Sequence, residues 1–311
     1  MDITIIICSY NRSSNLPDCF SCLEKQLITV PIQWEILLID NNSSDDTKMV
    51  TTNFNQNSAL DIRYIFEPKQ GLSNARNRGI AEAIGTYLIF IDDDIRVTEN
   101  WLQSIFSTFK QFDCDAVGGR IHIESPAKLP KWITTDMYGF LGHQDFGKHL
   151  HKMDGIEESP FGGNMAIHQR VIDLIGNFDV EMGRKGTGLK KEELFKGEET
   201  DFFMRLAAAG GNFYYHPDAL VFHKILPHQL KKVFFLTLHN NSGILTAKAD
   251  TKTYKKQFMG IPLFIFPQLM RAILSYLKIV MTKGPNHSIR QLMNVYYFCG
   301  MIYAYQIKDK M

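Results

Sequence analysis

Residues 87–94 read Tyr-Leu-Ile-Phe-Ile-Asp-Asp-Asp, an apolar run that ends on three consecutive carboxylates. Such a run is too short for an ordinary helix and has no polar face, so it reads as a strand buried on both sides. A strand with this ending delivers three acids together to one edge of a sheet. Their mutual repulsion calls for a counter-charge. A hard divalent cation, Mg²⁺ or Mn²⁺, suits that role because it bridges carboxylate and phosphate oxygens. A solvated turn is the plainer reading of the same three residues.

On either side the pattern repeats. Ile3–Ile7 is a further short apolar run, Trp34–Ile39 reads as a second buried strand, and Ile62–Phe66 reads as a third strand. Between them lie a helix capped by Ser13 or Ser14 and reaching about Leu27, a polar turn at Asn41–Asp46 that opens a second helix, and a third helix from Gly71 to about Ile84. A fourth helix spans about Glu99–Phe112. Strict alternation of this kind predicts an α/β fold with a mostly parallel sheet and helices on both faces. Ligands of such sheets bind at the carboxyl ends of the strands. Ser9, Tyr10, Asn11 and Arg12 follow the first strand, Asp40 ends the second, and Asp92, Asp93 and Asp94 follow the fourth. One polar site is therefore expected along that edge. Beyond it the chain is less regular. A strand is predicted at Ala116–Ile123, long loops over 124–160, a short strand and helix after Gly162-Gly163-Asn164, a helix at Gly197–Ala209, and strands near Phe213 and Leu220–Phe222.

The chain has 311 residues, 45% hydrophobic and 22% charged, which suits one large α/β domain with an extension. Its N-terminus lacks a basic leader and a cleavage site and reads as a strand rather than a signal peptide. Five cysteines without framework spacing fit a reducing, cytoplasmic compartment. Cys19 and Cys22 form a CxxC with no second pair, so a zinc site is not expected. The net charge of +1 conceals an asymmetry. From Lys224 onward, 13 Lys or Arg face only Asp250 and Asp309, about +11 in all. The same segment holds the strongly apolar stretches 258–281, interrupted by Pro262 and Pro267, and 289–305. After Pro267, the residues Gln268, Arg271, Ser275 and Lys278 fall on one narrow helix face. With Lys252, Lys255 and Lys256 alongside, this predicts an interfacial helix on an anionic membrane surface. A helix packed on the rest of the protein is the other reading.

The segments TIIICSYNR (4–12), LLIDNNSSDDT (37–47), GLSNARNRG (71–79) and YLIFIDDD (87–94) resemble, in order, the donor half of the inverting family 2 glycosyltransferases. GGNMAI (162–167), GNFD (176–179) and GEETDFFMRLAAAGG (197–211) resemble the acceptor half. The resemblance implies a GT-A fold with a nucleotide-sugar-binding half at 1–115, an acceptor and catalytic half at 116–223, and a helical extension at 224–311. It implies a nucleotide-sugar donor, UDP-linked, and a glycan or lipid-linked glycan acceptor at the inner face of a cell membrane; no nucleic-acid partner is expected. By the same resemblance, Asp40 would bond the base, Ser9–Arg12 would line the nucleotide pocket, and Arg76 would sit beside the base or diphosphate. Asp92 and Asp93 would face the donor. Asp94, with Asp92 and with His223 after the last strand, would hold Mn²⁺ or Mg²⁺. Asp40 could instead cap the following turn, and Arg76 could be a surface helix charge. The second acid of the family's Gly-Glu-Asp pattern is the expected general base; here it is Glu199, a glutamate where aspartate is usual, with Glu198 in reserve. That departure keeps a catalytically impaired nucleotide-sugar binder as the rival reading. Trp132, His143 and His151 lie in the loops expected to border the acceptor.

Overall fold

The computed structural model describes residues 1–186 and 190–308. In chain order the main elements are β1 (Ile3–Ser9), α1 (Leu16–Glu24), β2 (Trp34–Asp40), α2 (Thr47–Asn57), β3 (Ile62–Phe66), α3 (Leu72–Glu82), β4 (Tyr87–Asp92), β5 (Ile95–Val97) and α4 (Trp101–Phe112). They continue with β6 (Ala116–Glu124), β7 (His151–Met153), β8 (Met165–His168), α5 (Arg170–Ile175), α6 (Glu198–Ala208) and β9 (Phe213–Lys224). Last come α7 (Lys232–Ala249), β10 (Gln257–Phe258), β11 (Ile261–Pro262), α8 (Ile265–Lys283) and α9 (Ile289–Lys308).

The large sheet has the order β3-β2-β1-β4-β8-β6-β9-β5, with β7 paired to β9. The first four strands in that order run parallel, and β8 enters antiparallel between β4 and β6. Side chains of β1 alternate between two cores. Ile3, Ile5 and Ile7 pack with Phe20, Trp101 and Phe109 on one face, while Ile6 packs with Leu37, Leu88 and Phe90 on the other. Burial on both faces is why the central strands β1 and β4 are continuous apolar runs, whereas the edge strand β3 leaves Arg63 and Phe66 exposed.

Chain direction along the sheet reverses at β1, which lies between β2 and β4. A crevice opens at such a switch point. Register sets what lines it: Ser9 is paired with Asp40 of β2, and Cys8 with Asp92 of β4. Strand β5 then pairs Ile95 with His223 of β9, which brings that histidine back to the end of the Asp triplet.

Two features differ from the sequence reading. The strands expected near Phe213 and Leu220–Phe222 are one strand, β9, which passes through Pro217 at a register shift opposite Gly119–Ile121. A bulge accommodates the proline, whose missing N–H would otherwise break the ladder. Pro267 does not interrupt its helix either, because it falls in the first turn of α8, where the N–H has no intrahelical partner.

By internal packing the chain divides into two units. The first comprises Met1–Pro126, Gly142–Thr187 and Gly197–Lys224; the second comprises Ala127–Leu141, Gly188–Lys196 and Ile225–Met311. Within the second unit α7 and α9 cross closely: a Cβ on Gly243 would collide with the Tyr297 carbonyl, and one on Gly300 with that of Asn240. Trp132 belongs to this unit, packed edge-on against Phe235 with the Lys232 ammonium over its ring. Among the described residues no helix is long and apolar enough to cross a membrane.

Candidate active site

The loops after β1 and β2 are stitched together. The Asn11 N–H donates to Ser43 Oγ (2.9 Å), and Asn11 Oδ1 accepts from the Ser44 N–H (2.7 Å). Asn11 has φ 51°, a left-handed conformation that asparagine tolerates. Asp40 is buried; its Oδ1 accepts the Ser43 N–H (2.9 Å) and its Oδ2 accepts the Tyr64 hydroxyl (2.6 Å). It therefore caps the turn, as the alternative reading had it, at the strand end that register pairs with Ser9. Tyr10 is half-exposed next to them.

The three acids after β4 have three different environments. Asp92 is the solvent-facing one, with its carboxylate 4.0 Å from Arg76 Nη2. Asp93 is buried and accepts from Ser9 Oγ (2.7 Å) and Arg12 Nη1 (3.2 Å). Asp94 is buried as well; its Oδ2 accepts from Arg12 Nη1 (2.5 Å). Its Oδ1 lies 3.4 Å from His223 Nε2 and has no hydrogen-bond partner among the described residues. Burial, then the neighbouring acids, push the Asp93 carboxyl up despite Arg12. Burial acts in the same sense on Asp94, but His223 and Arg12 outweigh it and hold that carboxyl well below the usual range. The pair thus resolves its repulsion by splitting: one acid stays ionised beside the cations while the other is driven toward neutrality.

No three His, Cys, Asp or Glu side chains among the described residues already form a metal-ligand cluster. Asp94 and His223 nevertheless fit a cation. An orphaned buried carboxylate oxygen converges with an imidazole nitrogen, and that donor pair suits Mn²⁺. Gly142 gives the imidazole its room, since a Cβ there would sit 2.9 Å from His223 Nδ1.

On the other side of Asp92 stands the N-terminus of α6. Gly197 at φ 121° turns the chain into that helix. Glu198 is buried; its Oε1 accepts from Arg76 Nη1 (2.9 Å) and its Oε2 from the Gly197 N–H (3.2 Å). Arg76 is itself buried, lies over the Phe178 ring, and passes so near Gly162 that a Cβ there would come within 2.5 Å of Nη2. It is not a surface helix charge. Glu199 differs from its neighbour. Its Oε2 is buried with no hydrogen-bond partner among the described residues. Burial, followed by the charge of Glu198, pushes its carboxyl up to about 7, with Arg76 opposing.

One cation escaped the sequence reading. Arg184 lies in the loop after α5, where the Leu72 N–H donates to its carbonyl (2.9 Å) and Ser73 Oγ donates to the Met182 carbonyl (2.9 Å). Its charge is felt by Arg12, Asp94, Asp92 and Glu198 together; burial and Arg12 shift its pKa down. The available signal was the basic pair Arg184-Lys185 between Gly183 and Gly186, just past the GNFD segment. Of the loop histidines, His143 stacks on His122, and His151 Nε2 is 3.0 Å from Glu158 Oε2.

The sheet, its switch-point crevice and its acidic strand ends define a GT-A-type glycosyltransferase architecture. The sequence model of the family described as "Glycosyl transferase family 2" matches residues 4–175, and the chain belongs to that family. It is 24% identical over 238 residues to the succinoglycan biosynthesis protein ExoM of Rhizobium meliloti, covering 76% of this chain and 71% of that protein. It is 21% identical over 234 residues to the glucosyl-dolichyl phosphate glucuronosyltransferase of Haloferax volcanii, covering 74% and 71%. Among solved structures, the mannosyltransferase PcManGT of Pyrobaculum calidifontis, in complex with GDP-Man and Mn²⁺, superposes with TM-score 0.62 at 14% identity, covering 99% of this chain and 88% of that one. TarS 1-349 of S. aureus in complex with UDP superposes with TM-score 0.56 at 13% identity, covering 97% and 90%.

Proposed function

We propose that the chain transfers a sugar from a UDP-linked donor to an acceptor hydroxyl with inversion, using Glu199 as general base. The observation that carries this reading is the contrast between two adjacent glutamates. Arg76 and the Gly197 amide hold both oxygens of Glu198, whereas Glu199 keeps a buried, unpaired oxygen and a carboxyl near neutrality. A base works best when its pKa lies near the working pH. In the proposed step, the acceptor O–H gives its proton to Glu199 as its oxygen bonds to the anomeric carbon. The bond from that carbon to the diphosphate oxygen breaks on the opposite face, and its electron pair leaves with the diphosphate.

Ser9, Tyr10, Asn11, Arg12 and Asp40 would hold the nucleoside, with Asp92 and Asp93 toward the ribose and diphosphate. Arg12, Arg184 and Arg76 supply fixed positive charge for the leaving group. Asp94 and His223, with Asp92, would hold Mn²⁺ or Mg²⁺. When bound, such a cation neutralises charge on a departing diphosphate. The GDP-Man and Mn²⁺ bound by one structure of this fold, and the UDP bound by another, support a nucleotide-sugar donor and a divalent cation. The domain reading that goes with it is a donor half at 1–115, an acceptor half at 116–223 and an extension at 224–311. The names of the two curated relatives support a polysaccharide or lipid-linked glycan as acceptor; a lipid-linked acceptor would place the enzyme peripherally at the cytoplasmic face of a membrane.

Nucleotide release from a panel of UDP- and GDP-sugars with Mn²⁺ tests the reading. Glu199→Gln should cut turnover by about 10²–10⁴-fold while UDP binding is kept. Donor binding without turnover in the parent, or unimpaired turnover in Glu199→Gln, would overturn the base assignment.

A further inference from the structure

Helix α8 carries an unpartnered surface with two distinct strips. Pro267, Met270, Leu274, Leu277 and Met281 follow one another at helical spacing and are all exposed, Leu274 at 58% and Met281 at 80%. One residue further along from each stand Gln268, Arg271, Ser275, Lys278 and Thr282, equally exposed. At 100° per residue that shift places a polar, basic strip directly beside the apolar one. The β10–β11 hairpin leads straight into the helix, and its turn presents Phe258 and Met259 to solvent, Met259 at 71%. Lys255 and Lys256 are exposed immediately before it. A continuous apolar strip about 21 Å long, with more large side chains at one end, exceeds the scattered exposure that normal surfaces show.

The charges indicate what covers it. Eight Lys and Arg stand between Thr251 and Lys308, with no acid among them. The preceding acid, Asp250, accepts hydrogen bonds from the Tyr254 and Tyr305 hydroxyls. A second copy seated on this face would set Arg271 and Lys278 against the same cations with no acid to meet them. An apolar strip edged by cations instead matches a bilayer with anionic headgroups: the methionines and leucines enter the headgroup boundary and the basic row stays at phosphate level.

We infer that the exposed face of α8, together with the β10–β11 turn, is the surface by which this protein seats on an anionic lipid bilayer. The inference deepens the membrane part of the reading above and does not depend on the transfer chemistry.

The test is sedimentation of the full chain with vesicles of phosphatidylcholine alone and of equal parts phosphatidylcholine and phosphatidylglycerol. The parent should pellet with the anionic vesicles at low salt, be partly released by high salt, and stay in solution with the neutral ones. Leu274→Glu/Met281→Glu should abolish pelleting. Arg271→Glu/Lys278→Glu should lower partitioning on the order of 25-fold or more. All four positions are exposed, so unchanged circular dichroism is expected for both variants. A parent that ignores anionic vesicles at low salt would overturn the inference. So would a parent dimer, seen by light scattering, that Leu274→Glu converts to monomer, because a second copy would then own this face. Retained nucleotide release in a variant that no longer pellets would show that membrane seating and transfer are separate properties.

Discussion

Replacing Glu199 by glutamine should make the protein more stable at the pH where it makes it inactive. Folded, this carboxyl titrates at about 7, against 4.5 when unperturbed, mainly through burial and then through the charge of Glu198. The sign follows from proton counts. Below the unfolded pKa both states are protonated and the site costs nothing. Between about 4.5 and 7 the unfolded chain releases a proton that the folded one retains, so stability falls as pH rises. Above 7 the full penalty stands, roughly 3 kcal/mol for a shift of this size. Glutamine resembles the protonated acid in shape and never charges. Urea unfolding of parent and Glu199→Gln should therefore give nearly equal stabilities at pH 5, and a variant more stable by up to about 3 kcal/mol at pH 8. A variant that is less stable at both pH values, or a difference that does not change with pH, would refute the claim that Glu199 is held as a strained, high-pKa carboxyl.

The same carboxyl should shape catalysis: turnover in the parent should rise with pH through about 7 and fall close to ten-fold per unit below it, and Glu199→Gln should lose that dependence. Arg76→Met should strand Glu198 as a buried, uncompensated charge and cost about 3–5 kcal/mol in urea unfolding; a neutral effect would mean that the Arg76–Glu198 pair does not anchor the helix.

The strands were legible because burial on both faces leaves an unmistakable apolar run, and their order followed from alternation with helices. Register then did what no motif states: pairing Ser9 with Asp40 and Cys8 with Asp92 assembled the edge. Other elements were hidden for identifiable reasons. Helix α7 has apolar residues around much of its circumference and an Asn240-Asn241-Ser242-Gly243 stretch that reads as a turn, yet Gly243 is there to let α9 approach. Strand β5 is only three residues long, below what periodicity can detect. The division of labour between Glu198 and Glu199 was illegible because neighbours on a helix point about 100° apart. Only the fold shows which of them meets Arg76. Arg184 was missed for the converse reason: its loop has no periodicity, and its significance arises from Arg12, Asp94 and Glu198, all distant in sequence.

The most direct measurement is a calorimetric titration of UDP into the parent and into Asp94→Asn, each with and without Mn²⁺. Asp94 holds an ionised carboxylate whose buried Oδ1 makes no hydrogen bond among the described residues and lies 3.4 Å from His223 Nε2. In the parent, Mn²⁺ should tighten UDP binding clearly, and in Asp94→Asn that linkage should disappear while metal-free UDP affinity stays the same or improves slightly. UDP affinity in the parent that is indifferent to Mn²⁺, or an Asp94→Asn variant that responds to the metal as the parent does, would contradict the assignment of this strand-end site as a metal-assisted nucleotide-sugar site.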